Sequence, residues 1–286
     1  MVSRARSGRV LRQPFDHGRV VRGTKLPAGP ASRLSRGRLH HLSISREKRM
    51  IVSIMQPAYL PWPGYFHRIM ASDVHVVLDN VDIDLNSRTK FANRNRIRTP
   101  QGFSWLTVPL RGDSPSRRID ELQVFEESDW RRTHLRTLDQ FYSKASHYAA
   151  HREALHDLIA PAHGGFMQTV MPITGYLCEA LGLNVPCVRA SALGVTSTKS
   201  ELILDICTAL GASTYISGPF GRTYLDTEAF AARGVRLLIH EYSPKPYAQY
   251  FPDFVPALSV IDMLFNHGHA TQELIRAGQE NALSEE

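Results

Sequence analysis

Met50-Ile51-Val52-Ser53-Ile54-Met55-Gln56-Pro57-Ala58-Tyr59-Leu60-Pro61-Trp62-Pro63-Gly64-Tyr65-Phe66 runs directly into His67-Arg68-Ile69-Met70-Ala71-Ser72-Asp73-Val74-His75-Val76-Val77-Leu78-Asp79-Asn80, and this stretch decides the fold. Its opening residues are apolar and partly β-branched, the composition of a short buried strand. Pro57, Pro61, Pro63 and Gly64 then forbid regular structure. A short amphipathic helix follows, and Val74 to Leu78 reads as a second buried strand. Strand, helix and strand make a βαβ unit, which is right-handed almost without exception. Ligands of open parallel sheets gather outside the carboxyl ends of the strands, so the loop from Gln56 to Tyr65 lies where a site would be built.

Around this unit, 286 residues suffice for one large domain or two small ones with an ordinary core. No apolar run reaches the roughly 18 residues of a membrane span. Cys178, Cys187 and Cys207 have neither metal nor redox spacing, which fits reduced thiols in a cytoplasmic protein. The net charge of +7 is unevenly divided: residues 1–49 hold 13 Lys/Arg against 2 Asp/Glu, and residues 50–286 hold 21 against 25. The basic character therefore belongs to an Arg-, Ser-, Gly- and Pro-rich extension without periodicity, expected to be disordered. It reads as a nucleic-acid or lipid-binding arm, a transit segment, or sequence upstream of a start at Met50. Nucleic-acid binding through the core is not expected. Residues 50–270 are expected to form a single α/β domain and 271–286 a polar tail.

Along that domain, Asn86 to Arg98 is polar and cationic, and Arg94, Arg96 and Arg98 alternate so as to share one side of an extended chain. It is either a solvated face or an anion-binding arm. Phe103 to Leu110 predicts a strand, Arg117 to Phe125 a further extended piece, and Asp129 a cap for a helix through Tyr142. A second helix is predicted over Tyr148 to Leu158. Then helix and strand alternate: a helix from Met171 to Leu181 stopped by Gly182, a strand at Val185 to Arg189, a helix from Ser200 to Leu210 stopped by Gly211, and strands at Thr214 to Ser217 and Arg236 to His240. Ser259 caps a last apolar helix reaching Asn266. The expected architecture is α/β: a Rossmann-like, mostly parallel sheet flanked by helices, with a helical insertion and a C-terminal helix.

Three places carry chemistry. A helix starting near Gly64 directs free amides at the loop, suiting phosphate or carboxylate, although Pro57, Pro61, Pro63 and Gly64 also serve a tight corner. Tyr59, Trp62 and Tyr65 are either stacking platforms or core. The hydroxyl-rich turn Ser197-Thr198-Lys199-Ser200 precedes a helix; its hydroxyls are ordinary caps, but a lysine in the first turn opposes the helix dipole and favours an anion there. Ser217-Gly218-Pro219-Phe220-Gly221-Arg222-Thr223-Tyr224 follows a strand, and its glycines allow close approach of a ligand or simply the turn. Asp226 reads first as a helix cap. The thirteen histidines form no ligand pattern, so no metal site is assigned.

With these residues in view, the chain resembles the WbqC-like family of bacterial proteins. The resemblance rests on Gln56-Pro57-x-Tyr59-Leu60-Pro61-Trp62-x-Gly64-Tyr65-Phe66, Ser72-Asp73-Val74 with Leu78-Asp79, Asn93-Arg94-Asn95-Arg96-Ile97, Trp105 to Pro109, Ser197-Thr198, Tyr215-x-Ser217-Gly218-x-x-Gly221-x-x-Tyr224-Leu225-Asp226, and Leu258-Ser259-x-x-Asp262-x-Leu264-Phe265-Asn266-x-Gly268. It implies a place in O-antigen and related surface-polysaccharide synthesis. A more distant similarity, in element order and in the Thr-Ser-Thr-Lys-Ser run, is to the nucleotidyltransferase superfamily, with Trp62-Pro63-Gly64-Tyr65 at the HxGH position and both its histidines absent.

Together these imply an enzyme that binds a nucleotide or nucleotide-sugar and transfers a nucleotidyl or acyl group, with a nucleotide triphosphate and magnesium as candidate cofactor. The alternative is a non-catalytic sugar- or partner-binding component. Lys199, Asp79, Tyr65 and Arg94 are the candidate catalytic residues. Gln56, Pro57, Tyr59, Trp62, Gly64, Asn93, Arg96, Ser197, Thr198, Ser217, Gly218, Gly221 and Tyr224 are the candidate binding residues. An exposed Asp79 at the end of its strand would serve as metal ligand or base, and the strand ends are expected to bring Gln56, Tyr59, Tyr65, Asp79, Arg94, Ser197, Lys199 and Gly218 to one pocket.

Overall fold

The computed structural model describes residues 49–83, 91–113, 117–162, 164–278 and 283–285. Strand β1 (Ile51–Met55), helix α1 (Pro63–Met70) and strand β2 (Val74–Val77) form the expected unit, with β1 and β2 parallel and Val52 opposite Val74. Next comes an antiparallel hairpin, β3 (Arg94–Thr99) and β4 (Gly102–Thr107). Helices α2 (Trp130–Tyr142), α3 (Tyr148–Ile159) and α4 (Phe166–Ala180) make the insertion before β5 (Cys187–Arg189). The order then runs α5 (Lys199–Ala209), β6 (Thr214–Ser217), α6 (Thr227–Ala232), β7 (Arg236–His240), α7 (Val260–His267), α8 (Thr271–Arg276) and β8 (Leu283–Glu285).

The main sheet has the order β5-β2-β1-β6-β7-β8, parallel throughout except for β8. Counting only the parallel strands, this is the 3-2-1-4-5 order of a Rossmann-like sheet. The chain leaves β1 toward β2 and β5, then returns to the other side for β6 and β7. The reversal lies between β1 and β6, where a crevice opens in such sheets.

Both faces of β1 are covered, which is why it reads as continuous rather than alternating apolar sequence. Val52 and Ile54 join the core beneath α5 and α6, with Leu202, Ile206, Tyr215 and Phe230. Met55, on the opposite face, joins the larger core of α1, α4, α7 and the hairpin, with Phe66, Ile173 and Phe265. Helix α7 buries Val260 through Phe265 in this core, and the carboxylate of its buried Asp262 accepts from the Tyr142 and Tyr247 hydroxyls. Gly182 and Gly211 adopt φ of +66° just beyond α4 and α5 and end them as expected.

Several expectations are corrected. Asp129 does not cap α2 with its side chain; its carboxylate takes a bond from Arg132 Nε at 2.7 Å instead. Helix α4 begins at Phe166, so Pro172 sits inside it rather than near its start. Arg117 to Phe125 is extended only in part: isolated bridges of Arg118 to Asp82 and Val124 to Leu110 flank a single 3₁₀ turn at Ile119–Glu121. Thr271–Arg276 is not tail but helix, because Ile275 is fully buried and anchors it. Of the cationic segment, Asn86 to Lys90 lies outside the described residues, as do Arg4 to Arg46 of the basic extension.

Candidate functional site

Beside the β1–β6 reversal, helix α1 sends Arg68 across toward the ends of β6 and β7. Its Nε and Nη2 both lie 3.4 Å from Nδ1 of His240, the last residue of β7. A guanidinium only donates, so His240 accepts at Nδ1. Neutral His240 then carries its proton on Nε2 and donates it to Nδ1 of His67 at 2.8 Å. Burial, reinforced by Arg68, holds His240 down at about 3; burial, then Arg276 and Arg68, lowers His67. Tyr242 stacks on both imidazoles and meets Trp62 edge-on.

No carboxylate among the described residues pairs with Arg68. The acidic groups near it are the phenols of Tyr215, Tyr224 and Tyr65, and burial raises all three above the ordinary range, so they carry no charge at pH 7. The cation is partly buried, and burial lowers its own pKa. A desolvated charge without an opposite partner is costly, and an anion entering here would offset that cost.

The loop after β6 completes the wall. Gly218 has an ordinary φ of −76°, so its lack of a side chain serves space, not conformation: a Cβ would lie 3.0 Å from Arg68 Nη2. Gly221 is equally constrained, since a Cβ there would meet Ser217 Oγ at 2.1 Å. Tyr224 is half exposed at the rim. Asp226 accepts from the Ala229 amide and caps α6, while its own amide donates to Ser200 Oγ at 2.8 Å. That bond brings the turn before α5 against this loop. Ser197 donates to Asp205, Thr198 makes no capping bond, and Lys199 is exposed with a left-handed φ of +54°. Ser217, Gly218, Gly221, Tyr224 and the Ser197–Lys199 turn are therefore neighbours.

The other expected residues lie elsewhere. Asp79 is fully buried and paired with Arg189 at 2.5 Å, and it also accepts from the amide and hydroxyl of Ser191, so it ties β2 to the segment after β5 and has no exposed oxygen for a metal or proton. Tyr59 is fully buried and bonded to His134 at 3.0 Å; its ring belongs to the core and not to a stacking platform. Pro57 is buried, and Gln56 donates to the Asp82 carbonyl. The Trp62 ring lies over Gly64, where a Cβ would come within 2.4 Å of it, and so covers the start of α1. Tyr65 is buried and bonded to His75.

Hairpin β3–β4 clamps the Pro57–Trp62 loop from outside. The Tyr59 amide donates to the Ala92 carbonyl, Asn95 to the Leu60 carbonyl at 2.6 Å, and the Val260 amide to the Pro61 carbonyl. Asn93 closes the hairpin base through Val108. Outside, Arg94 stacks 4.3 Å from the centre of Trp105, and Arg96 4.7 Å from Phe103. Arg98 is buried and donates to the carbonyls of Pro252 and Asp253. The three arginines share a side as their spacing requires, but only the first two line an accessible face.

Arg68, His67 and His240 were not singled out in the sequence. On an amphipathic helix a lone arginine reads as the solvent face, and the one available signal was its position within the unit that leads to the β1–β6 crevice. Among the described residues no three His, Cys, Asp or Glu are grouped to hold a metal ion, and no helix is long and apolar enough to cross a membrane.

A sequence profile of the WbqC-like protein family matches residues 56–273. The chain is also similar to the uncharacterized protein Rv1507c of Mycobacterium tuberculosis, 29% identical over 231 residues, covering 79% of this chain and 97% of that protein. No solved structure matches significantly.

Proposed function

The chain belongs to the WbqC-like protein family, and from that premise we propose that it is an enzyme holding the phosphate of a nucleotide or nucleotide-sugar at Arg68 and transferring a nucleotidyl or acyl group in surface-polysaccharide synthesis. One observation carries the reading: a partly buried guanidinium with no carboxylate partner among the described residues, beside the reversal of a Rossmann-like sheet and against Gly218. In nucleotidyl transfer an acceptor oxygen bonds to the α-phosphorus as the bridging P–O bond breaks, and negative charge moves onto the departing pyrophosphate. In this reading Arg68 stabilises that charge, and Lys199, on the turn joined to this loop through Ser200, adds a second cation. Tyr224 at the rim supplies a ring for a base or sugar.

Isothermal titration with ATP, CTP and nucleotide-sugars, with and without magnesium, tests this reading. Micromolar binding that Arg68→Met abolishes is expected, and absence of binding to every one overturns it. A second reading, a sugar- or partner-binding component without chemistry, is favoured by the exposed Phe103 and Trp105 stacked by Arg96 and Arg94. Multiple turnover of any glycan precursor excludes it.

A further inference from the structure

On the other flank of α1, between α1, α4 and the edge strand β5, lies a cavity of about 450 Å³. Its size is that of a small-molecule site. Tyr65 and His75 form its floor, Met171, Cys178 and Cys187 line its walls, and the exposed Glu179 stands at its mouth. Burial pushes both thiols up to about 12 and holds His75 down at about 3, so the interior is uncharged at neutral pH.

The polar floor is directional. Ser72 Oγ donates to the Ile69 carbonyl at 2.9 Å, so its proton is committed and it accepts from Ser53 Oγ. Ser53, its own proton spent, accepts from His75 Nδ1 at 3.0 Å. Neutral His75 is thereby protonated on Nδ1 and accepts at Nε2 from the Tyr65 hydroxyl at 3.2 Å. Every proton of the chain points inward, away from the cavity. The Tyr65 oxygen is left at the floor with lone pairs and no proton to give.

We propose that this cavity binds an uncharged, ring-sized apolar group carrying one hydroxyl or N–H donor, with the donor bonded to the Tyr65 oxygen and the ring set against the sulfurs of Met171, Cys178 and Cys187. Polarisable sulfur favours an aromatic or flat ring, and an acceptor without a proton selects a donor over a carbonyl. The site stands apart from the Arg68 reading, since it takes no anion.

The test is a titration of methyl-¹³C-methionine protein with 4-phenylphenol, read at the Met171 methyl resonance, assigned by Met171→Leu. A saturable shift at Met171 is expected, with biphenyl binding roughly fivefold more weakly. Cys178→Phe, which fills the wall, removes the shift while the other methionine resonances stay in place; Cys187→Phe serves if that variant does not fold. Tyr65→Phe brings the two probes to equal affinity. An unmoved Met171 resonance up to the solubility limit, or a shift that persists in the filled variant, overturns the site. Equal affinity of biphenyl and 4-phenylphenol for the unaltered protein overturns the donor requirement. The nucleotide titrations of the Arg68 reading need no apolar ligand, so each reading can fail while the other stands.

Discussion

The guanidinium of Arg68 donates to Nδ1 of His240, a neutral imidazole, where a buried arginine ordinarily meets a carboxylate. The contact satisfies hydrogen bonds but supplies no opposite charge, and no described carboxylate does so either. Arg68→Met is therefore expected to raise Tm by about 2–4 °C in chloride buffer. The same substitution removes the stabilisation that pyrophosphate gives the unaltered protein. Thermal scans of both proteins with and without pyrophosphate check this; a large loss of Tm in the variant contradicts it.

Gly218→Ala separates geometry from charge. The backbone accepts alanine, but the new Cβ displaces Arg68 Nη2. Affinity for pyrophosphate is expected to fall about tenfold, equivalent to about 1.4 kcal/mol. Unfolding free energy, from urea titration, stays within about 1 kcal/mol of the parent.

Asp79 behaves as a structural ion. Asp79→Asn leaves the partly exposed Arg189 without its partner and weakens the Ser191 bonds, a loss of about 1.5–3 kcal/mol by urea unfolding. Unchanged stability accompanied by lost turnover would instead restore the catalytic role read from its position at the strand end.

Acid sensitivity follows from three neutral histidines. Burial first, then nearby arginine charge, holds His75 and His240 down at about 3 and His134 down at about 4, whereas the unfolded chain takes up these protons near pH 6.5. Their contribution is complete above about pH 6.5 and is lost as pH falls toward the folded values, each by about 1.4 kcal/mol per pH unit. Urea midpoints between pH 7.5 and 4.5 should fall steadily, and His134→Gln should make the fall shallower.

The sheet was legible where burial on both faces leaves a mostly apolar run, as in Ile51–Met55 and Leu237–Ile239. Helix boundaries were less so. The expected start at Met171 puts Pro172 in a first turn, where proline is tolerated, and misses the five helical residues before Met171. Thr271–Arg276 carries one buried apolar anchor, too few for a periodic signal. At the site, the Ser217–Tyr224 loop was legible from its glycines. Tyr59 and Asp79 were not, because whether an aromatic or acidic residue at a strand end faces solvent depends on partners such as His134 and Arg189, 75 and 110 residues away. Arg68 was illegible for the converse reason: a missing counter-ion exists only in three dimensions.

Helix α1 is two turns long, and within it Tyr65 and Arg68 are three residues apart, one flooring the cavity and the other reaching the β1–β6 reversal. A rod this short has no slack between its flanks: a shift that seats the guanidinium on an anion also moves the phenol that floors the cavity. Affinities on the two flanks are then linked, and by thermodynamic reciprocity whatever factor an anion imposes on the apolar ligand, the apolar ligand imposes on the anion.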